Sequence, residues 1–377
     1  MTPSDITLMA HPDLQTSSPV LNELGCPDSA NGEDRHVSTE LTVIVPAYNE
    51  AATIADTIRS LRSQTVPPDE IIVVDDCSYD ATGEVARQLG ATVIRPASNT
   101  GSKAGAQNVG LQHVVTRYTM AIDADTTLAP DAIERLLPAL KEPAVAAASG
   151  FVLPRHVQSL WERGRYIEYL FAFSFYKLIQ DYYGKPLISS GCFSIYRTDV
   201  LRSSGGWSTR TMAEDMDLTW SYYQAGHCVR FIPEAVCYPI EPNNFTFMRK
   251  QLRRWSSGFV QNVKLHWRGM LRLPYLRLFV AAALWDSVIA SITYIILLPL
   301  ITILLANPVF LLGYVIDLAA VAIPVICAAT IRGELPRALT SIPAFFVLRF
   351  VNAFFMLQAL WLELVMRRPL RVYEKGH

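Results

Sequence analysis

Between Leu41 and Asp123 the chain alternates short apolar runs with stretches of helical period. LTVIVPAY (41–48) and EIIVVDD (70–76) are continuous and rich in Val and Ile, as strands covered on both faces are. Between them Ile54, Ile58 and Leu61 recur at helical spacing and predict a helix over 51–64. ATVIRP (91–96) and YTMAID (118–123) repeat the strand, with a helix expected from Lys103 to Val115. In the last strand Tyr118, Met120 and Ile122 alternate with Thr119 and Ala121, which predicts a half-buried strand. Strands and helices at this pitch predict an α/β fold with a doubly wound, mostly parallel sheet, whose ligands bind at the carboxyl ends of the strands. Asp75, Asp76, Asp123 and Asp125 all fall at such ends, and Ala213 to Ala225 reads as one more helix.

Beyond residue 280 the apolar runs become long. Residues 287–305, 309–330 and 341–366 can each span about 30 Å of hydrocarbon. Composition agrees with a soluble domain joined to a membrane part: 51% of the 377 residues are hydrophobic, and the mean hydropathy is +0.22. The net charge of -1 gives no global attraction to nucleic acid. Cys26, Cys77, Cys192, Cys228, Cys237 and Cys327 are scattered without C-x-x-C, which argues against a zinc site or a disulfide framework and favours a reducing compartment.

Residues 1–40 carry seven acids against Arg35 alone and no apolar run of signal-peptide length, so a mobile acidic tail is expected there. From Pro242 to Trp285 there is no acid at all, while Arg249, Lys250, Arg253, Arg254, Lys264 and Arg268 interleave with Phe245, Phe247, Trp255, Phe259 and Trp267. Such a belt suits an anionic headgroup layer and belongs on the cytoplasmic side. Three spans would then leave Arg367, Arg368, Arg371 and Lys375 outside, against the same rule, unless the last segment is re-entrant or interfacial. The expected plan is an acidic tail (1–40), a catalytic domain (41–244), interfacial helices (245–277), a transmembrane region (278–366) and a basic tail (367–377). Within the last span Arg349 and Glu363 stand fourteen residues apart, close to four turns, so one face is expected to carry both with Asn352. With Asp286 and Asp317, that face is expected to line the path of a polar product.

Asp123 and Asp125 stand one residue apart, and two carboxylates so close repel unless a cation sits between them. A capped turn before Pro130 is the competing reading. An acidic crevice at strand ends suits a phosphate that arrives with a divalent metal, since carboxylates bind Mg²⁺ or Mn²⁺ and the metal binds diphosphate oxygens. There is no G-x-G-x-x-G after the first strand and no P-loop, which excludes the common dinucleotide and nucleotidase classes.

VIVPAYNE, IIVVDDCSYDAT, NTGSKAGAQNVGL, IDADTTL, SGCFSIYR, GGWSTRTMAEDMDLTW and QLRRW occur in this order over about residues 41–260. Together they resemble the processive family 2 glycosyltransferases: the poly-N-acetylglucosamine, hyaluronan, chitin and cellulose synthases. The resemblance implies a GT-A nucleotide-diphospho-sugar transferase domain. It implies that Pro46, Ala47, Tyr48, Asn49 and Glu50 hold the uridine, with Tyr48 on the base, and that Asp75 and Asp76 bind uracil or ribose. Asn49 alone serves equally as a turn residue, and Asp76 as a helix cap. By the same resemblance Lys103 and Asp123 lie at the nucleotide sugar, Asp123 and Asp125 hold the metal, and Ser190, Gly191, Cys192 and Trp207 line the acceptor end.

Asp215 matches the family base, with Glu214 beside it and Asp217 completing an acidic cluster able to raise the pKa of one member. Where the family usually has Thr or Gly before this pair, the chain has Ala213. Gln251, Arg254 and Trp255 stand at i, i+3 and i+4 and share one helix face, where an arginine can hold the leaving diphosphate and an indole a sugar ring. The expected activity is transfer of a sugar, N-acetylglucosamine by resemblance, from a UDP-sugar to a polysaccharide, in a multi-pass cell-membrane protein whose catalytic domain is cytoplasmic. A lipid-linked acceptor and single addition is the alternative. The family usually has spans before the catalytic domain as well, so a homo-oligomer or an accessory membrane subunit is the expected source of further channel helices.

Overall fold

The computed structural model describes residues 40–370 of the protein. The expected acidic tail, Glu40 apart, lies outside the described residues, as does the basic tail beyond Leu370. One sheet contains β1 (Leu41–Ala47), β2 (Glu70–Asp75), β3 (Thr92–Ile94), β4 (Tyr118–Ile122), β5 (Thr127–Leu128), β6 (Val145–Val152), β7 (Phe193–Arg197) and β8 (Cys228–Tyr238). Its spatial order is β3-β2-β1-β4-β7-β6-β8-β5. The half from β3 to β4 is parallel. β7 then runs antiparallel to both neighbours, and β8 is parallel to β6. The sheet is therefore mixed, with the parallel order expected from the sequence confined to the strands that carry Asp75, Asp76 and Asp123 at their ends.

Helices α1 (Ile54–Arg62), α2 (Thr82–Gln88), α3 (Lys103–Leu111), α4 (Ala132–Leu136), α5 (Leu160–Phe171), α6 (Lys177–Tyr182), α7 (Thr198–Ser203), α8 (Glu214–Gln224) and α9 (Phe245–Met270) cover the sheet. β4 differs from expectation. All five of its residues are buried. Tyr118, Met120 and Ile122 face the layer that holds Ile54, Ile58 and Ile133, while Ala121 packs with Leu111, Leu201 and Trp207 on the other side. Thr119 tolerates burial because its hydroxyl pairs with that of Thr198 at 2.8 Å. A polar position in an alternating strand marks a solvent face only when no second layer can satisfy it.

α5 opens with a capping box between Ser159 and Glu162 and continues through a π-helical turn, Ala172–Tyr176, into α6. The belt expected as several interfacial helices is chiefly one 26-residue helix, α9, capped by Asn244. Pro274 then opens the first of three apolar helices, Pro274–Leu304, Pro308–Ile331 and Leu335–Val365, each long and apolar enough to cross a membrane. The third lies against α5, where a Cβ on Gly164 would come within 3.0 Å of Leu348 Cβ and 3.1 Å of the Ala344 carbonyl oxygen.

Candidate active site

A cavity of about 970 Å³ runs from the ends of the parallel strands, past the start of α8 and along α9, to the first and third apolar helices. The wall at the strand ends is built by β1, β2 and the loops that follow them. Pro46, Ala47, Tyr48, Glu50 and Asp76 line it. Asp76 is 6% exposed; one carboxylate oxygen accepts the Thr100 N–H at 2.7 Å and the other the Thr100 hydroxyl at 2.9 Å. Asp75 faces away and lies outside the lining. Its oxygens accept Arg95 Nη1 at 2.6 Å and the Ser78 N–H at 3.0 Å. Successive strand residues point to opposite faces, so neighbouring aspartates cannot both reach one ligand. Asn49 is likewise outside the lining: at φ +53° it turns the chain, donating its N–H to Ser78 Oγ at 2.9 Å and accepting the Tyr79 N–H at 2.8 Å.

After β4, Asp123 and Asp125 line the cavity, while Ala124 and Thr126 between and after them are buried. The segment is also a turn, closed by the Thr126 N–H on the Asp123 carbonyl at 3.1 Å. It is pinned by Thr57 Oγ1 on the Ala124 carbonyl at 2.9 Å and by Arg155 Nη2 on the Asp125 carbonyl at 2.8 Å. The metal reading and the turn reading of this sequence are thus compatible. Lys103, the first residue of α3, forms an ion pair with Asp123 and donates to the Gly191 carbonyl at 2.9 Å. Among the described residues no three His, Cys, Asp or Glu side chains gather as a metal cluster.

Asp215 stands in the first turn of α8, where the helix dipole favours a carboxylate. Its Oδ2 accepts the Gly191 N–H at 3.0 Å. Glu214 lines the cavity beside it, and burial, reinforced by the Asp215 charge, pushes its carboxyl above the usual range. Asp217 is not part of that pair. It points into the protein, where Arg210 holds it at 2.7 and 2.8 Å and His266 at 2.6 Å. Ala213, in the place of the family's Thr or Gly, meets α9 closely: a Cβ on Gly258 would fall 2.7 Å from the Ala213 Cβ. Asn262 supports the same point by donating to the Ala213 carbonyl at 3.0 Å.

Gln251, Arg254 and Trp255 all line the cavity from one face of α9. Gln251 accepts Arg165 Nη2 at 2.7 Å, and the Arg165 guanidinium lies 4.5 Å from the centre of the Trp255 ring. Arg165 is fully buried and ion-paired with Glu168 and Glu241. The sequence reading missed it. Its signal was available: charged residues inside the aromatic run WERGRYIEYLF, which a helix packed on one side alone would place in solvent.

Ser190, Gly191 and Cys192, expected at the acceptor end, line the cavity. Trp207 does not. It is 1% exposed, packs edge-on against Tyr196, and is clamped through its backbone by the Asn108 amide at 2.7 and 3.0 Å.

At the membrane end the lining includes Tyr176, Asp286, Ser287, Tyr294, Arg349 and Asn352. Arg349 donates to Asp286 at 2.7 Å and to both oxygens of Asp317 at 3.2 Å. Asp317 lies behind this contact, outside the lining. Glu363 does not share the Arg349 face as its spacing predicts. It is 2% exposed and accepts Gln261 Nε2 of α9 at 2.6 Å. The helix passes into a π-helical turn at Trp361–Val365, whose i→i+5 hydrogen bonds break the 3.6-residue count.

This sheet, with its acidic strand ends and with Asp215 at the start of α8, has a GT-A-like fold followed by helices and three apolar spans. Residues 42–205 match the family model described as Glycosyl transferase family 2. The chain is 27% identical over 260 residues to the poly-beta-1,6-N-acetyl-D-glucosamine synthase of Staphylococcus epidermidis, covering 68% of this chain and 62% of that protein. To the enzyme of the same name from Staphylococcus aureus (strain COL) it is 27% identical over 222 residues, 58% of this chain and 54% of the relative. It thus spans less than two thirds of the length of these curated relatives. The solved structure of the mannosyltransferase PcManGT from Pyrobaculum calidifontis, in complex with GDP-Man and Mn²⁺, shares the fold at a TM-score of 0.58 and 21% identity, over 87% of this chain and 88% of that one.

Proposed function

We propose that the protein is a membrane-bound inverting glycosyltransferase that moves N-acetylglucosamine from UDP-N-acetylglucosamine to a growing β-linked polysaccharide and passes the product toward its apolar helices. The carrying observation is the continuity of one cavity from the β1 loop, past Asp215 and the Gln251, Arg254 and Trp255 face, to Asp286 and Arg349. Tyr48 and Asp76 hold the nucleoside, and Lys103 and Arg254 the diphosphate. Trp255, with Ser190 to Cys192, carries the acceptor. The catalytic domain (41–244) faces the cytoplasm, α9 rests in the headgroup layer, and the spans cross the membrane.

Asp123 and Asp125 suit Mg²⁺ or Mn²⁺. Both lie along the cavity on a pinned turn, and a cation, Lys103, already pairs with Asp123. Two carboxylates complete an all-oxygen shell only with substrate phosphates and water, as these ions prefer. When bound, the ion offsets the charge that develops on the departing diphosphate. Asp215 takes the proton of the acceptor hydroxyl as its oxygen attacks the anomeric carbon from the face opposite UDP; the bond to UDP breaks and UDP leaves with the electron pair. Glu214 stands beside it, its carboxyl raised above the usual range by burial and by the Asp215 charge.

A single-addition transferase acting on a lipid acceptor is the second reading. It is favoured by the three-way ion pair of Arg349 with Asp286 and Asp317, which ties up the charged groups at the membrane end of the cavity. Purified protein in lipid nanodiscs, given a panel of radiolabelled UDP-sugars with Mg²⁺ or Mn²⁺, separates the two. A high-mass ladder from UDP-N-acetylglucosamine is expected; one sugar on a lipid supports the second reading, and no transfer from any UDP-sugar overturns both.

A further inference from the structure

Lys177, the first residue of α6, lies along the cavity wall although the side chain is almost wholly buried. Its ammonium stands 4.8 Å from the ring centre of Phe173 and 5.0 Å from that of Phe231. The hydrogen bond it makes, at 3.0 Å, goes to Ser190 Oγ rather than to any carboxylate. A buried lysine without an ion pair is costly to keep, so its position calls for a reason.

Ser190 opens the segment that supports the base. The next residue, Gly191, donates its N–H to Asp215 Oδ2 at 3.0 Å and accepts Lys103 Nζ at 2.9 Å. A Cβ on Gly191 would stand 3.0 Å from the same Asp215 oxygen, so base and backbone are in direct contact. The Ser190 carbonyl in turn accepts Ser194 Oγ at 2.7 Å and the Phe193 N–H at 3.1 Å, which ties the segment to β7. The geometry points to Lys177 as a positioning residue for the transfer, holding the Ser190–Gly191 backbone that aims the Asp215 carboxylate at the acceptor hydroxyl. This rests on Asp215 being the base.

The charge of Lys177 matters as well as its hydrogen bond. Asp215 from α8, Cys192 from the loop before β7, Cys237 from β8 and Asp181 from α6 are the titratable groups that face it, and burial outweighs them to bring its pKa down to about 8. The ammonium is therefore present below that pH and lost as pH rises through it, so a step that needs the charge declines above about pH 8.

The test measures kcat, KM for UDP-N-acetylglucosamine and the pH profile of kcat for the full chain in nanodiscs, with Lys177→Met, Lys177→Arg and Asp215→Asn in parallel. Lys177→Met is expected to lower kcat about ten-fold, leave KM within about two-fold and abolish the alkaline decline, because misaiming a catalytic group costs turnover rather than binding. Lys177→Arg is expected to restore most of kcat and move the decline upward by more than one pH unit. Wild-type kcat in Lys177→Met overturns the proposal. If that variant does not fold, the arginine variant decides, and an unmoved alkaline limb overturns it. Asp215→Asn at wild-type kcat would instead remove the base assignment, a failure separate from any result at Lys177.

Discussion

The nucleotide-side wall and the membrane-side wall of the cavity are built on opposite plans. On the nucleotide side the stabilising partners are close in sequence: Asp76 to Thr100 is 24 residues, Asp75 to Arg95 is 20 and Asn49 to Tyr79 is 30. Each is one strand–helix–strand step, so the wall forms with the parallel half of the sheet. On the membrane side several partners are distant: Gln251 and Arg165 are separated by 86 residues, and Asn352 and Glu168 by 184. The charge plan differs too. Asp123, paired with Lys103, and Asp125 both stay partly exposed on the cavity. Arg165 and Arg349 are already matched by carboxylates of the protein. The first wall keeps its carboxylates partly open to the cavity and the second matches its arginines within the fold, so substitutions in the first should remove chemistry and substitutions in the second should remove stability or product handling.

The largest effect is expected at Asp125. Asp125→Ala should reduce metal-stimulated transfer to background while the protein still elutes as a folded species and binds UDP weakly. Full activity in the variant, or in EDTA, would leave the segment as a turn alone. Asp215→Asn keeps the shape and removes the proton acceptor, so turnover should fall by a factor on the order of a hundred or more with UDP-sugar binding near normal. Isothermal titration beside initial rates reads both quantities, and weakened binding at unchanged turnover would make Asp215 a substrate contact instead.

On the other wall, Arg165→Met should lower unfolding stability by about 3–5 kcal/mol, because it leaves Glu241 buried without its cation. Urea unfolding in detergent checks this, and a loss under about 1 kcal/mol would mean that the buried arginine holds nothing together. The smallest effect on the chemical step belongs to Arg349→Leu, paired with Asp317→Asn to remove the charge left behind. Product length should shorten while hydrolysis of the UDP-sugar to free sugar stays constant. Unchanged product length on a sizing gel would break the link between the membrane wall and the polymer.

The contrast explains how much could be read in advance. The strands ending in Asp75, Asp76 and Asp123, the helix carrying Asp215 and the face of Gln251, Arg254 and Trp255 were legible, because period and adjacency act within a few residues. The same local logic did not separate Asp76 from Asp75, since which strand face meets the cavity depends on what packs behind it; Arg95 and the Ser78 N–H claim Asp75 from there. Trp207 matched a motif and lies in the core, held by Asn108. Arg165, Lys177 and Glu241 belong to no motif and were overlooked, although Lys177 and Glu241 line the cavity and Arg165 lies beside Trp255.

By itself the sequence determined the α/β order of the first half, the acidic strand ends and the three apolar helices, because side-chain periodicity and hydrophobic length are properties of the local chain. The tertiary structure alone decided that β7 runs antiparallel into the sheet, that Glu363 turns to Gln261 rather than toward Arg349, and that an arginine could be buried beside Trp255. In each case the deciding energy is the pairing of a polar group that has lost water. The partner that satisfies it comes from a distant segment, whose position no local period encodes.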